Sequence, residues 1–77
     1  MKLRINNNEA KAIKVVLEPW ASEFEVKSGD FIDFISEGKV PDSGFFQVEN
    51  NMYGVIVSPE WESALVHTYN SKGEAID

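Results

Sequence analysis

Apolar residues in this chain recur at every second position, and no long stretch holds the 3.6-residue period of an amphipathic helix. Period two is strand geometry, because successive side chains leave a strand on opposite faces. Within Lys11–Glu18, Ile13, Val15 and Leu17 share one face, and Ala12, Lys14, Val16 and Glu18 share the other. Leu3 and Ile5 repeat the pattern earlier in the chain. Between the two runs, Asn6-Asn7-Asn8-Glu9 offers turn chemistry, since Asn tolerates positive φ, so an N-terminal hairpin is expected.

The next runs flank Lys27-Ser28-Gly29. A three-residue loop with Gly29 in the left-handed region pairs Val26 with Asp30 and Phe24 with Ile32. It gathers Phe24, Val26, Ile32 and Phe34 on one face and leaves Glu23, Glu25 and Asp33 on the other, with Phe31 and Ile35. That register requires no buried acid. Further on, a turn at Asn50-Asn51 pairs Val48 with Tyr53 and Phe46 with Val55, placing Val57 on the same face. The run Glu62–Asn70 sets Ala64, Val66 and Thr68 against Leu65, His67 and Tyr69. Ser71-Lys72-Gly73 is a turn, after which Glu74-Ala75-Ile76 returns as a short edge strand. Gly38–Ser43, with Pro41, reads as a loop, and Pro59–Glu62 as one helical turn.

About seven short strands result, an all-β reading of residues 1–77 as a single domain. The expected architecture is a small antiparallel β-sandwich or partly open barrel. With 77 residues and Cys 0, no disulfide staples the fold, and thiolate metal sites and thiol chemistry are excluded. A core this small must be dense or be completed by a partner chain, so monomer and homodimer both stay open.

Val16-Leu17-Glu18-Pro19-Trp20, followed by Phe24, Val26 and Gly29, resembles a group of small uncharacterised bacterial proteins sharing an LEPWG-x-x-[FY]-x-[LV]-x-x-G element. The resemblance covers roughly residues 3–37, and the rest only in pattern. Ala21 stands where those proteins have Gly, and Lys27-Ser28 where Pro often precedes the turn glycine. The resemblance implies a small all-β fold and carries no activity or site.

Net charge is −6, and it is unevenly placed: residues 1–16 sum to +3, while the remainder holds three lysines against twelve acids. This balance opposes binding to a phosphate backbone, so nucleic acid is not an expected ligand. The N-terminal MKLRINNNEAK has no apolar signal core, and no apolar run matches a bilayer span. A cytoplasmic protein with no membrane association is expected.

Candidate chemistry is sparse. His67 is the single imidazole and is expected as a half-buried, hydrogen-bonded strand residue rather than a base or metal ligand. Asp30/Asp33 and Glu60/Glu62 are paired acids, but so short a chain has little wall for the cleft a glycosidase needs, and solvated faces are expected. No calcium loop and no phosphate-cradling glycine loop is present. No catalytic residue, metal site or cofactor is assigned.

Trp20 and Trp61 are the more informative pair, each closely following a proline, in Pro19-Trp20 and Pro59-Glu60-Trp61. Such a residue lids a small core or anchors a ligand. Trp61, between Glu60 and Glu62, is expected to be the more exposed. Trp20, Glu60, Trp61 and Glu62 are therefore the candidate binding residues. The favoured function is a non-catalytic protein-interaction module (adaptor, inhibitor or immunity type) whose acidic surface meets a basic protein partner. The alternative is a small ligand- or carbohydrate-binding domain using an exposed Trp. A minimal enzyme ranks third.

Overall fold

The computed structural model describes all 77 residues and contains seven strands and no helix. These are β1 (Lys2–Asn6), β2 (Ile13–Leu17), β3 (Ser22–Val26), β4 (Phe31–Ser36), β5 (Phe45–Asn51), β6 (Gly54–Glu60) and β7 (Val66–Asn70). They form a three-stranded sheet, β1-β4-β7, and a four-stranded sheet, β3-β2-β6-β5. Val15, Leu17, Val26 and Val57 of the larger sheet bury against Ile32 and Phe34 of the smaller. Phe24 meets Phe34 edge-on across this core, ring centroids 6.2 Å apart. The sandwich reading holds and the sheets do not close into a barrel. One pair departs from the antiparallel pattern: β2 and β6 run parallel, with Leu17 beside Val57.

Two expected hairpins are instead arches between the sheets. Leu3 and Ile5 pair with Phe34 and Ile32 of β4, while β2 joins the other sheet. Likewise β3 pairs with β2, not with β4. Phe24, Val26, Ile32 and Phe34 do gather on one side, but face to face across the core rather than edge to edge. Gly29 is left-handed as expected, at φ 79°.

One buried side chain clasps both arches. Asn7 Nδ2 donates to the carbonyls of Lys11 and Val26, both at 2.9 Å, and its Oδ1 accepts from Glu9 N–H. Its backbone N–H donates to Asp30 C=O and its C=O accepts from Gly29 N–H. Every polar group of Asn7 is satisfied, which is what permits its burial. Asn7 is therefore no simple turn residue.

Asp33 overturns the expectation of no buried acid: it is 7% exposed at the centre of the smaller sheet. Arg4 lies opposite and grips it with two bonds, Nε to Oδ1 at 2.8 Å and Nη2 to Oδ2 at 3.0 Å. The guanidinium also lies 3.8 Å over the Phe31 ring. These bonds hold the Asp33 carboxyl below its ordinary pKa, against the opposing effect of burial.

The β5–β6 hairpin turns at Met52-Tyr53, not Asn50-Asn51, so Val48 faces Val57 and Asn50 faces Val55. Asn51 Oδ1 accepts the Tyr53 N–H at 2.8 Å, fixing the turn. Gly54 follows at φ 137°, where an added Cβ would sit 2.4 Å from the Lys14 carbonyl oxygen. The partner of Val48 moves by an even number of residues, so the faces survive the slip, and only Tyr53 leaves for the turn. Pro59 and Glu60 continue β6 opposite Phe46 and Phe45, so the expected helical turn is absent. Proline is tolerated there because the β2–β6 ladder closes with the Glu18 N–H donating to Val57 C=O, and Pro59 lies beyond that last bond. The return after Gly73 is present, with Ala75 bridging Tyr69.

Candidate functional site

The parallel β2–β6 pair brings the two similar Pro–Trp segments of the chain together. Side by side at Leu17 and Val57, the two strands run on to Pro19 and Pro59 at the same end of the larger sheet. Pro19, Trp20, Pro59, Trp61, Ser63 and Ala64 there line one cleft of about 250 Å³. Residues forty positions apart in sequence thus form a common wall.

The two indoles differ in exposure, in the reverse of the expected order. Trp61 is half-buried and packs edge-on against Phe46, ring centroids 5.4 Å apart. Trp20 is 44% exposed. The sequence favours Trp61 as the exposed one because acids flank it, yet Glu60 and Glu62 point to solvent while the indole between them turns inward.

Trp20 also borders a second groove, of about 270 Å³, shared with Leu65, Glu37, His67 and Asp77. Protonated His67 donates from Nε2 to Glu37 Oε2 at 2.8 Å and from Nδ1 to Asp77 Oδ2 at 3.2 Å. Glu37 first, then Asp77, raises the imidazole pKa above its ordinary value. His67 is exposed on β7 rather than half-buried. Glu37 and Asp77 escape sequence reasoning because nothing in a linear pattern joins positions thirty and ten residues from a histidine. Both ring nitrogens are engaged by carboxylates, and no serine hydroxyl is hydrogen-bonded to the ring.

Charge is sorted by face. On the outside of the larger sheet lie Glu18, Glu23, Glu25, Glu49 and Glu60, around Val16 and Ile56. Lys14, bonded to Glu23 at 2.9 Å, is the cation among them. Glu18 is half-buried, with Oε1 lacking a hydrogen-bond partner. The paired acids of the sequence separate: Asp33 serves Arg4, and Asp30 Oδ1 accepts the Phe31 N–H. Glu60 accepts from Ser58 Oγ at 3.1 Å.

The structure contains no helix long and apolar enough to cross a membrane. Comparison with protein families, with curated proteins and with solved structures finds no match for this chain.

Proposed function

We propose that this chain is a small non-catalytic protein-interaction module, of the adaptor, inhibitor or immunity type, which acts in the cytoplasm and presents an acidic surface to a basic protein partner. The observation behind this reading is the gathering of Glu18, Glu23, Glu25, Glu49 and Glu60 on one sheet face with a single lysine among them. Such a face draws a basic partner by long-range attraction and sets the association rate more than the final affinity. Trp20, at the end of that sheet and beside Glu37 and Asp77, is suited to anchor the contact, because an arginine or lysine side chain can lie on its indole within reach of both carboxylates.

The exposed Trp20, walling two grooves, also supports the alternative of a small carbohydrate-binding domain. One experiment separates the two. In a Trp61→Phe background, Trp20 fluorescence is titrated with an arginine-rich peptide and with neutral oligosaccharides. The interaction reading expects a response to the peptide that weakens as salt rises from about 0.05 M to 0.5 M, as the Debye length falls from roughly 14 Å to 4 Å. Reversing Glu60 and Glu62 to lysine slows association, and Trp20→Ala speeds dissociation. A salt-independent response to sugar alone overturns the acidic-face reading in favour of the alternative.

A further inference from the structure

The two edges of the three-stranded sheet are finished differently. Beyond β7 the chain folds back on itself: Asn70 N–H donates to Glu74 C=O and Ile76 N–H to Thr68 C=O, both at 2.9 Å. Beyond β1 there is no strand. The bonds at the two ends of the β1–β4 ladder, Ser36 N–H to Met1 C=O and Asn7 N–H to Asp30 C=O, fix its phase. Odd-numbered residues of β1 exchange bonds with β4, so both backbone groups of Lys2, Arg4 and Asn6 point to the open edge.

The four-stranded sheet overhangs that same edge. Val48 of β5 faces inward beside Val57, which is fully buried, yet Val48 is 42% exposed. In a sandwich an inward valine is covered by the opposing sheet, and here the opposing sheet is one strand short. The space is a groove of about 530 Å³ lined by the apolar Ile5, Ile13, Val48 and Val55 together with polar residues that include Arg4 and Glu9.

We infer that β1 accepts an extended segment of a protein partner as a fourth strand of the smaller sheet, with alternate apolar residues turned inward onto Val48 and acidic residues turned outward beside Lys2 and Arg4. The unpaired backbone groups require a strand, since only a strand satisfies donors and acceptors along such an edge. The uncovered valine sets the inward chemistry. Lys2 and Arg4, with side chains 51% and 44% exposed on the outer face, share the one carboxylate of Asp33, and the net positive charge left there sets the outward chemistry. A second copy pairing antiparallel through its own β1 about Lys2, Leu3 or Arg4 would set Lys2 or Arg4 against a like charge, which is unfavourable across strands. This surface is independent of the acidic face and selects the opposite charge.

The test uses the whole chain and a labelled heptapeptide alternating valine and glutamate. Binding is expected, and replacing the glutamates by lysines weakens it about tenfold or more. N-methylation of the glutamates abolishes binding if pairing is antiparallel, and N-methylation of the valines does so if it is parallel, since only one set of amides faces β1. On binding, amide exchange at Lys2, Arg4 and Asn6 slows about tenfold or more, while Leu3 and Ile5 are already protected in the free chain. Val48→Glu weakens binding while the circular dichroism spectrum of the free chain stays that of the folded protein. Binding that survives both N-methylated peptides, or leaves those amides unprotected, overturns the inference. Protection that rises with protein concentration alone overturns it too, by making a second copy the occupant.

Discussion

The two Pro–Trp corners share a sequence pattern and end differently, and only Glu18-Pro19 is a cis peptide. Pro19 lies just past the end of β2 and Pro59 within the last residues of the neighbouring parallel strand β6, and each corner places a non-glycine residue in the left-handed region shortly after its tryptophan: Ala21 at φ 56° and Ser63 at φ 59°. The difference lies in what stands opposite. β6 runs on past Val57 along β5, reaching Phe46 at Pro59, so Trp61 arrives beside an aromatic ring. Gly44 makes room for it, since an added Cβ there would sit 3.3 Å from the indole and 2.7 Å from Val40 Cγ1. β2 instead turns at once into β3, with Ser22 opposite Leu17, so Trp20 sits at a hairpin tip. The local segment supplies the indole, and the neighbouring strand decides whether it becomes core or surface.

Truncating each tryptophan should break this comparison open. Trp61→Ala removes a half-buried ring from Phe46 and is expected to cost about 2–4 kcal/mol. Trp20→Ala is expected to cost less than about 1 kcal/mol, as an exposed side chain does. Gly44→Ala should reproduce part of the first loss, about 1–3 kcal/mol, by pressing a methyl group on Val40 and Trp61. Denaturant unfolding of the three variants reads all of these, and equal losses at the two tryptophans would erase the distinction.

Much of the fold was legible from alternation alone. That Phe24, Val26, Ile32 and Phe34 meet follows from period two, and so does the shared face of Phe46, Val48, Val55 and Val57. Whether strands meet edge to edge or face to face does not follow, because a hairpin and an arch satisfy the same apolar pattern. Asn7 shows the cost of that ambiguity: as a turn residue it is ordinary, and its role as a buried clasp exists only once both arches cross between sheets. Asp33 was hidden for a similar reason. Its burial depends on Arg4, twenty-nine residues away, and on β1 lying beside β4. At the candidate site, Trp20 and Trp61 were visible as residue types after prolines. Their shared cleft required the parallel pair, which no turn signal announces.

The left-handed residues sharpen the comparison, because here the two corners should behave the same. A side chain in that region costs roughly 1–2 kcal/mol, and glycine's extra freedom in the unfolded chain returns roughly 0.5–1 kcal/mol. Ala21→Gly and Ser63→Gly are each expected to stabilise by up to about 1 kcal/mol, read as a raised denaturation midpoint. Because φ is nearly equal at both, the gain should not depend on whether the adjacent indole is packed. A gain at only one corner would mean that the indole, not the backbone, sets the strain.

The smallest expected effect separates the corners by pH. Trp20 shares its groove with His67, whose pKa is raised in the folded chain by Glu37 and then Asp77. A raised pKa means the folded state holds the proton more tightly than the unfolded state does. The stabilisation is therefore fully present below the unfolded value of 6.5 and is lost as pH rises through the folded value. Exposure to solvent keeps the effect small. Unfolding measured at about pH 5.5 and 8.5 should show wild type losing stability relative to His67→Gln, which has no proton to release. The emission of Trp20, followed in a Trp61→Phe background, should shift over the same interval as the carboxylates lose their shared donor. That of Trp61, followed in a Trp20→Phe background, should stay constant, since its contacts with Phe46 involve no titrating group. A shift at Trp61 of equal size would show that the two corners respond as one unit.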